Sequence, residues 1–189
     1  MKVIRFADVK ATPWINGGGS VNVIAAGALG HNGDPRLEPG NQWDWRLSLA
    51  SVEQPGEFSR LPGIERILTV VDGGPLQLTI GGSHHLVPAL RPFAFDGGAV
   101  TTAVLPSGPV RNLNLMCRAG QIEGNVTIAP VHGSLLQPQQ AAVLLAGQAS
   151  VGAVALRRFD TVFTSGTSPV LMRGKGTLAL VEIRPRSEP

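Results

Sequence analysis

Apolar and polar residues alternate along much of this chain with a period of two. Trp45, Leu47 and Leu49 alternate with Arg46, Ser48 and Ala50, and Leu76-Gln77-Leu78-Thr79-Ile80 repeats the pattern. Thr177-Leu178-Ala179-Leu180-Val181 shows it more weakly. Short alternating runs bounded by Gly, Pro or Asp predict half-buried strands. Further strands are predicted at 20–26, 65–71, 100–105, 111–118, 125–129, 141–145, 153–157, 161–164 and 168–172. Turns are predicted at Asp72-Gly73-Gly74, Gly81-Gly82-Ser83, Asp96-Gly97-Gly98, Ser107-Gly108 and Arg173-Gly174. Only 135–147 has helical character. It carries Pro138 and reads as readily as a turn followed by a strand. Many short strands at turn spacing imply an all-β sandwich or barrel. The Gly- and Pro-broken segment Ala28 to Asn41 reads as a surface insertion, or as a lid over a site.

Composition narrows the partners. Charged residues are 15% of the chain, below the roughly 25% of an average domain. No apolar run approaches the ~18 residues of a membrane helix. Met1 to Lys10 mixes charges with single apolar residues, unlike a signal peptide. The lone Cys117 excludes an intramolecular disulfide, and a cytoplasmic location is expected. The net charge of +3 and pI of about 9.8 come from scattered residues, the longest basic run being Arg157-Arg158. Nucleic acid requires a clustered basic stripe, so neither nucleic acid nor membrane is an expected partner. The basic residues are 13 Arg and 3 Lys. Arginine is the residue for planar, two-pronged capture of a carboxylate or phosphate.

Metal chemistry is not expected. His84 and His85 are adjacent, and in a strand they point to opposite faces. His31 and His132 are remote from them, and no pair has ligand spacing. Cys117 shares a strand face with Leu113 and Leu115, which predicts a buried, inert thiol. Gly17-Gly18-Gly19 precedes a β-branched run rather than a helix, so it predicts a tight bend or close approach to a ligand rather than a phosphate loop. Polar residues on strands carry more information. Arg46 and Ser48 share one face, Arg66 shares a face with Leu68 and Val70, and Asn112, Asn114 and Met116 share another. Such residues either converge on a polar pocket or satisfy one another at the surface.

Five motifs occur in order: Pro13-Trp14-Ile15-Asn16-Gly17-Gly18-Gly19, Asp44-Trp45-Arg46-Leu47-Ser48-Leu49-Ala50, Gly56 to Arg66, Pro92-Phe93-Ala94-Phe95 and Val110 to Met116. Together they resemble the HutD/Ves family over roughly residues 3 to 118. The resemblance implies a bicupin fold of two β-barrel or jelly-roll halves, 1–118 and 119–189, without cupin metal ligands or other cofactor. It implies a binder of a small anionic or polar metabolite of histidine utilisation, in a metabolic or regulatory role. A homodimer stays open. The alternative is a metal-independent isomerase, lyase or hydrolase, with Asp44, Glu65, His84 or His85 as base. The residues that fit the family pattern are Trp14, Asn16, Arg46, Ser48, Ser59, Arg66, Asn114 and Met116, and these are the expected ligand-binding set. Arg46 and Arg66 would clamp a carboxylate, Asn16 and Asn114 would read a second polar group, and Trp14 and Met116 would form an apolar wall. The sequence departs from the family at Val21 to Ile24, where an Arg/Glu pair is usual. It departs again at Asn112, where Asp is common, and at Ile15, where a basic residue is common.

Overall fold

The computed structural model describes residues 1–29, 35–37, 43–164 and 167–186. Most of the 28–41 insertion, including His31, lies outside the described residues. The strands are β1 (Lys2–Ile4), β2 (Ala11–Pro13), β3 (Gly19–Leu29), β4 (Pro35–Leu37), β5 (Trp45–Val52), β6 (Gly56–Glu57), β7 (Ile64–Asp72), β8 (Leu76–Ile80), β9 (Ser83–Val87), β10 (Phe93–Asp96), β11 (Thr101–Val104) and β12 (Val110–Arg118). They continue with β13 (Ile122–Pro130), β14 (Leu135–Leu136), β15 (Gln140–Val151), β16 (Val154–Leu156), β17 (Thr161–Phe163) and β18 (Val170–Pro185). The one helix among the described residues is a single 3-10 turn, Phe6–Asp8.

The fold is all-β, as the alternation predicts. In the first half, a sheet ordered β10-β7-β12-β5-β3-β2, with β4 beside β3, faces a four-stranded sheet ordered β6-β11-β8-β9. In the second half, β17, β15, β18 and β13 form a sheet that β16 extends beyond β15. The chain's first strand does not stay with its own half. β1 pairs antiparallel with β17, Val3 opposite Val162, and completes the second sheet. Asp160 holds that junction. Its buried carboxylate accepts hydrogen bonds from Arg5 Nη1 at 2.6 Å, the Phe6 amide at 2.9 Å and the Arg157 amide at 3.0 Å.

The pleat turns each large strand into a two-faced wall. Trp45, Leu47 and Leu49 of β5 and Leu113, Leu115 and Cys117 of β12 face the second half. They pack there on Ile122, Val126, Val143, Val181 and Ile183. A fully buried Leu or Ile contributes about 1.5–3 kcal/mol, so this layer ties the two halves firmly. The opposite face of the first sheet places Val52, Leu68, Val70 and Val110 against Leu76, Leu78, Val87 and Ala103 of the four-stranded sheet. A third cluster, including Val131, Leu136, Leu144, Met172 and Leu178, fills the second half.

The turn expected at Arg173-Gly174 does not form. β18 runs through it, and the strands predicted at 168–172 and 177–181 are one strand of 16 residues paired to β15. Gly174 sits opposite Ala149 with φ +136°, and a Cβ there would collide with the Gln148 carbonyl. The glycine permits close backbone approach within a ladder rather than ending it. The 135–147 stretch is β14, a turn, and the start of β15, and Pro138 falls in the turn.

Candidate functional site

Strand β12 lies between β5 and β7, and the registers on its two sides stack side chains in cross-strand rows. Met116 lies opposite Arg46 on one side and Arg66 on the other. Asn114 lies between Ser48 and Leu68, and Asn112 between Ala50 and Val70. All three rows point into the first half. Strands β8, β9 and β11 cover the apolar end of this face but not the polar end. There the wall faces the loop that carries Trp14, Ile15 and Asn16 and the segment Glu57 to Leu61. Between them lies a cavity of about 540 Å³.

All eight residues expected to bind ligand line this one cavity. Ser48, Arg66, Asn114 and Met116 are buried in its wall. Trp14 and Arg46 are half-buried, and Asn16 and Ser59 stand exposed at the mouth. Asn16 is partly committed, because its Oδ1 accepts the Gly18 amide at 3.1 Å and shapes its own loop. The Gly triplet forms the tight bend expected of it, with the Gly17 amide donating to the Trp14 carbonyl. Gly17 has φ +69°, and the Ser51 carbonyl occupies the space a Cβ on Gly19 would take.

The wall is cationic and hydrogen-bond hungry. Arg66 is 6% exposed and makes no ion pair among the described residues. Burial, and secondarily the charge of Arg46, lowers its pKa to about 10. Its guanidinium lies 5.1 Å from the ring centroids of both Phe58 and Phe95. Burial also lowers the pKa of Arg46, whose Nη2 donates to Met116 Sδ at 3.2 Å and whose guanidinium stacks 4.8 Å from Trp43. Among the described residues, the buried side-chain atoms without a partner are Arg46 Nε, Arg66 Nε, Asn112 Nδ2 and Oδ1, Asn114 Oδ1 and, outside the cavity, Thr69 Oγ1. Five of the six belong to cavity residues. An unmet buried polar group costs about 1–3 kcal/mol, so their concentration at one place marks where a polar ligand fits.

Cavity residues outside the expected set include Phe58 and Leu61, which complete the apolar wall, and Glu57, the carboxylate at the mouth. Asn112 also lines the cavity and is 1% exposed. Its period-two relation to Asn114 and Met116 places it on their face, although it departs from the family pattern. The four candidate bases do not reach the cavity. Asp44 pairs with Arg118 at 2.8 Å and Glu65 with Arg186 at 2.9 Å. His84 Nδ1 is 3.0 Å from Thr79 Oγ1, and the His85 ring lies 5.1 Å from Phe93. No group of three or more His, Cys, Asp or Glu that could hold a metal occurs among the described residues. None of their helices is long and apolar enough to cross a membrane.

Two packed β halves with an open polar cavity in one of them define a bicupin. A cupin 2 conserved barrel domain protein from Leptotrichia buccalis shares the fold, at a TM-score of 0.57 and 12% identity over 98% of this chain and 96% of that one. The HutD family model matches residues 6–180, and the chain belongs to the HutD family. HutD from Pseudomonas fluorescens SBW25 superposes with a TM-score of 0.78 at 27% identity, covering 98% of this chain and 99% of that one. Protein Ves of Escherichia fergusonii is 32% identical over 132 residues, which are 67% of this chain. The match spans 64% of that relative's length.

Proposed function

We propose that this protein binds a small carboxylate metabolite in the cavity of its first half, in a metabolic or regulatory role rather than as a scaffold. The observation that carries the reading is the pair of arginines on the cavity wall, both turned inward and neither neutralised by a carboxylate among the described residues. A cation withdrawn from water without a counter-ion is destabilising, and an anionic ligand supplies the missing charge. The orphaned oxygens of Asn112 and Asn114 ask for more than charge. They require N–H or O–H donors, so the ligand carries an amide-, imidazole- or hydroxyl-type group besides its carboxylate.

The HutD resemblance makes the carboxylates of histidine degradation, urocanate and N-formylglutamate, the first compounds to screen. Thermal shift decides the matter, since a ligand at 100 times its dissociation constant adds about 2.7 kcal/mol of stability. Stabilisation by one of these compounds, lost in Arg66→Ala, is the expected result. A screen of small carboxylates in which none stabilises the wild-type protein overturns the reading.

A further inference from the structure

The motif Pro92-Phe93-Ala94-Phe95 has no part in the cavity wall, yet it touches the residue on which the cavity depends. Phe95 on β10 is the direct antiparallel partner of Arg66 on β7. Its ring centroid lies 5.1 Å from the Arg66 guanidinium carbon, and Phe58 is equally close. The chain then turns at Asp96-Gly97-Gly98, and Gly97 packs on the aliphatic stem of the same arginine. A Cβ at Gly97 would sit 3.1 Å from Arg66 Cδ, 3.2 Å from Cγ and 2.8 Å from the Ile64 carbonyl oxygen. Phe95 is itself backed by Phe93, with ring centroids 6.1 Å apart. Phe95 and Gly97 do not line the cavity.

We infer that Phe95 is a positioning residue for anion binding: with Phe58 it holds the Arg66 guanidinium in place through its ring. The inference rests on the proposed carboxylate binding and concerns how the main cation is held ready for it. A buried arginine is usually fixed by a carboxylate, but a carboxylate would occupy the N–H edges and cancel the charge. An aromatic ring attracts the cation through its π face and consumes no N–H donor. The charge therefore stays whole, and the guanidinium stays ordered before ligand arrives. Preorganisation of this kind raises affinity by lowering the ordering cost of binding.

The test uses the full chain, N-formylglutamate as the calorimetric probe, and the NMR signal of the Arg66 Nε–H group. The probe carries carboxylates together with the N–H donor that the Asn112 and Asn114 oxygens require. Phe95→Leu keeps an apolar side chain but loses the ring, so its dissociation constant for the probe should rise about tenfold. The Arg66 Nε–H signal should broaden or exchange faster in the same variant. Phe95→Trp should restore both to within about twofold of wild type, because indole is the best π partner for a cation. Phe93→Leu removes a ring that backs Phe95 but does not lie over Arg66, and should weaken binding by no more than about threefold. Wild-type affinity and an unchanged Arg66 signal in Phe95→Leu overturn the inference. So does an equal loss in Phe93→Leu, which marks a merely structural strand. A wild-type protein that does not bind the probe, or Arg66→Ala binding it as tightly as wild type, sinks the carboxylate reading itself, a result distinct from either.

Discussion

Arg46 and Arg66 stand on either side of Met116, each its register partner on a flanking strand. Two strand spacings of about 4.8 Å separate them, so two cations share one short row of the cavity wall. Their proximity lowers the pKa of Arg66 further than burial does alone. A carboxylate is thus drawn to a place where charge is already unfavourably concentrated.

Arg66 should be the principal anchor of the anion. A hydrogen bond to a charged group contributes about 1.5–3 kcal/mol, and the planar fork adds geometry that an ammonium lacks. Arg66→Lys should therefore weaken carboxylate binding nearly as much as Arg66→Ala, by about 10- to 100-fold. Arg60→Ala should change little, because Arg60 is exposed and donates to the Gly98 carbonyl at 3.2 Å. Calorimetry with a binding carboxylate, alongside circular dichroism of each variant, checks all three.

Asn112 sets the charge of the cavity. Both of its amide atoms are buried without a partner, so the side chain is free to read a ligand group. Asn112→Asp is close to isosteric but places an anion in the same wall as the two arginines. At roughly 10 Å and an effective dielectric near 20, the repulsion on a bound carboxylate is about 1–2 kcal/mol. Affinity for carboxylates should fall roughly 5- to 30-fold at neutral pH. Undiminished affinity in a folded Asn112→Asp variant would place the carboxylate far from this residue.

Much of this site is written in single strands. Period-two spacing alone puts Arg46 with Ser48 and Asn112 with Asn114 and Met116, because the pleat dictates shared faces. Spacing cannot say which strands become neighbours. That Met116 would come to lie between two arginines depends on pairings across tens of residues. The same limit hid β1, which crosses to the second half, and Phe95, whose role exists only through its partner on β7. Gly174 misled for a different reason. A glycine that permits a bend and one that permits close packing look alike in sequence, and here the ladder continues through it.

Cys117 should resist thiol reagents in the native state. It is 2% exposed in the layer between the halves. Burial, with a smaller contribution from the charge of Glu65, pushes its pKa up to about 12. A raised pKa means that the folded state holds the proton more tightly. The stabilising contribution is full below the unfolded thiol value near 9 and is lost as pH rises towards 12. Labelling at pH 8 should be slow until denaturant is added. Rapid native labelling would show that this face of β12 is open to solvent.

Asp160 should fasten the first strand to the second half. Burial alone would raise its pKa. Hydrogen bonds from the Arg157 amide, Arg5 and the Phe6 amide, with the charge of Arg5, outweigh burial and hold it below the ordinary carboxylate value. A depressed pKa gives stability above the unfolded carboxylate pKa, which disappears as pH falls through the folded one. Asp160→Asn keeps the shape but loses the charge and one acceptor oxygen, and should destabilise the protein by about 2–3 kcal/mol. Amide hydrogen exchange in residues 2–6 should quicken with it, whereas exchange at β5 and β12 should not.

Arg66 also predicts a conflict between binding and stability. Its lowered pKa means that the fold disfavours the charged form relative to the unfolded chain. The sign follows directly. Below about pH 10 the guanidinium is charged in both states and its burial is destabilising, and that penalty fades as pH rises from about 10 towards the higher value of an unfolded arginine. Replacing Arg66 by Met keeps the length of the stem and its contact with Phe58 and Phe95 while removing the charge. Exchanges of buried charge for apolar bulk are often neutral or stabilising by about 1–4 kcal/mol. Arg66→Met at pH 7 should therefore melt at or above the wild-type temperature while binding no carboxylate. A bound carboxylate should raise the wild-type melting temperature and leave that of the variant unmoved. A variant that melts well below wild type would show that the two rings stabilise the cation by more than its burial costs, and that Arg66 is as much part of the core as of the site.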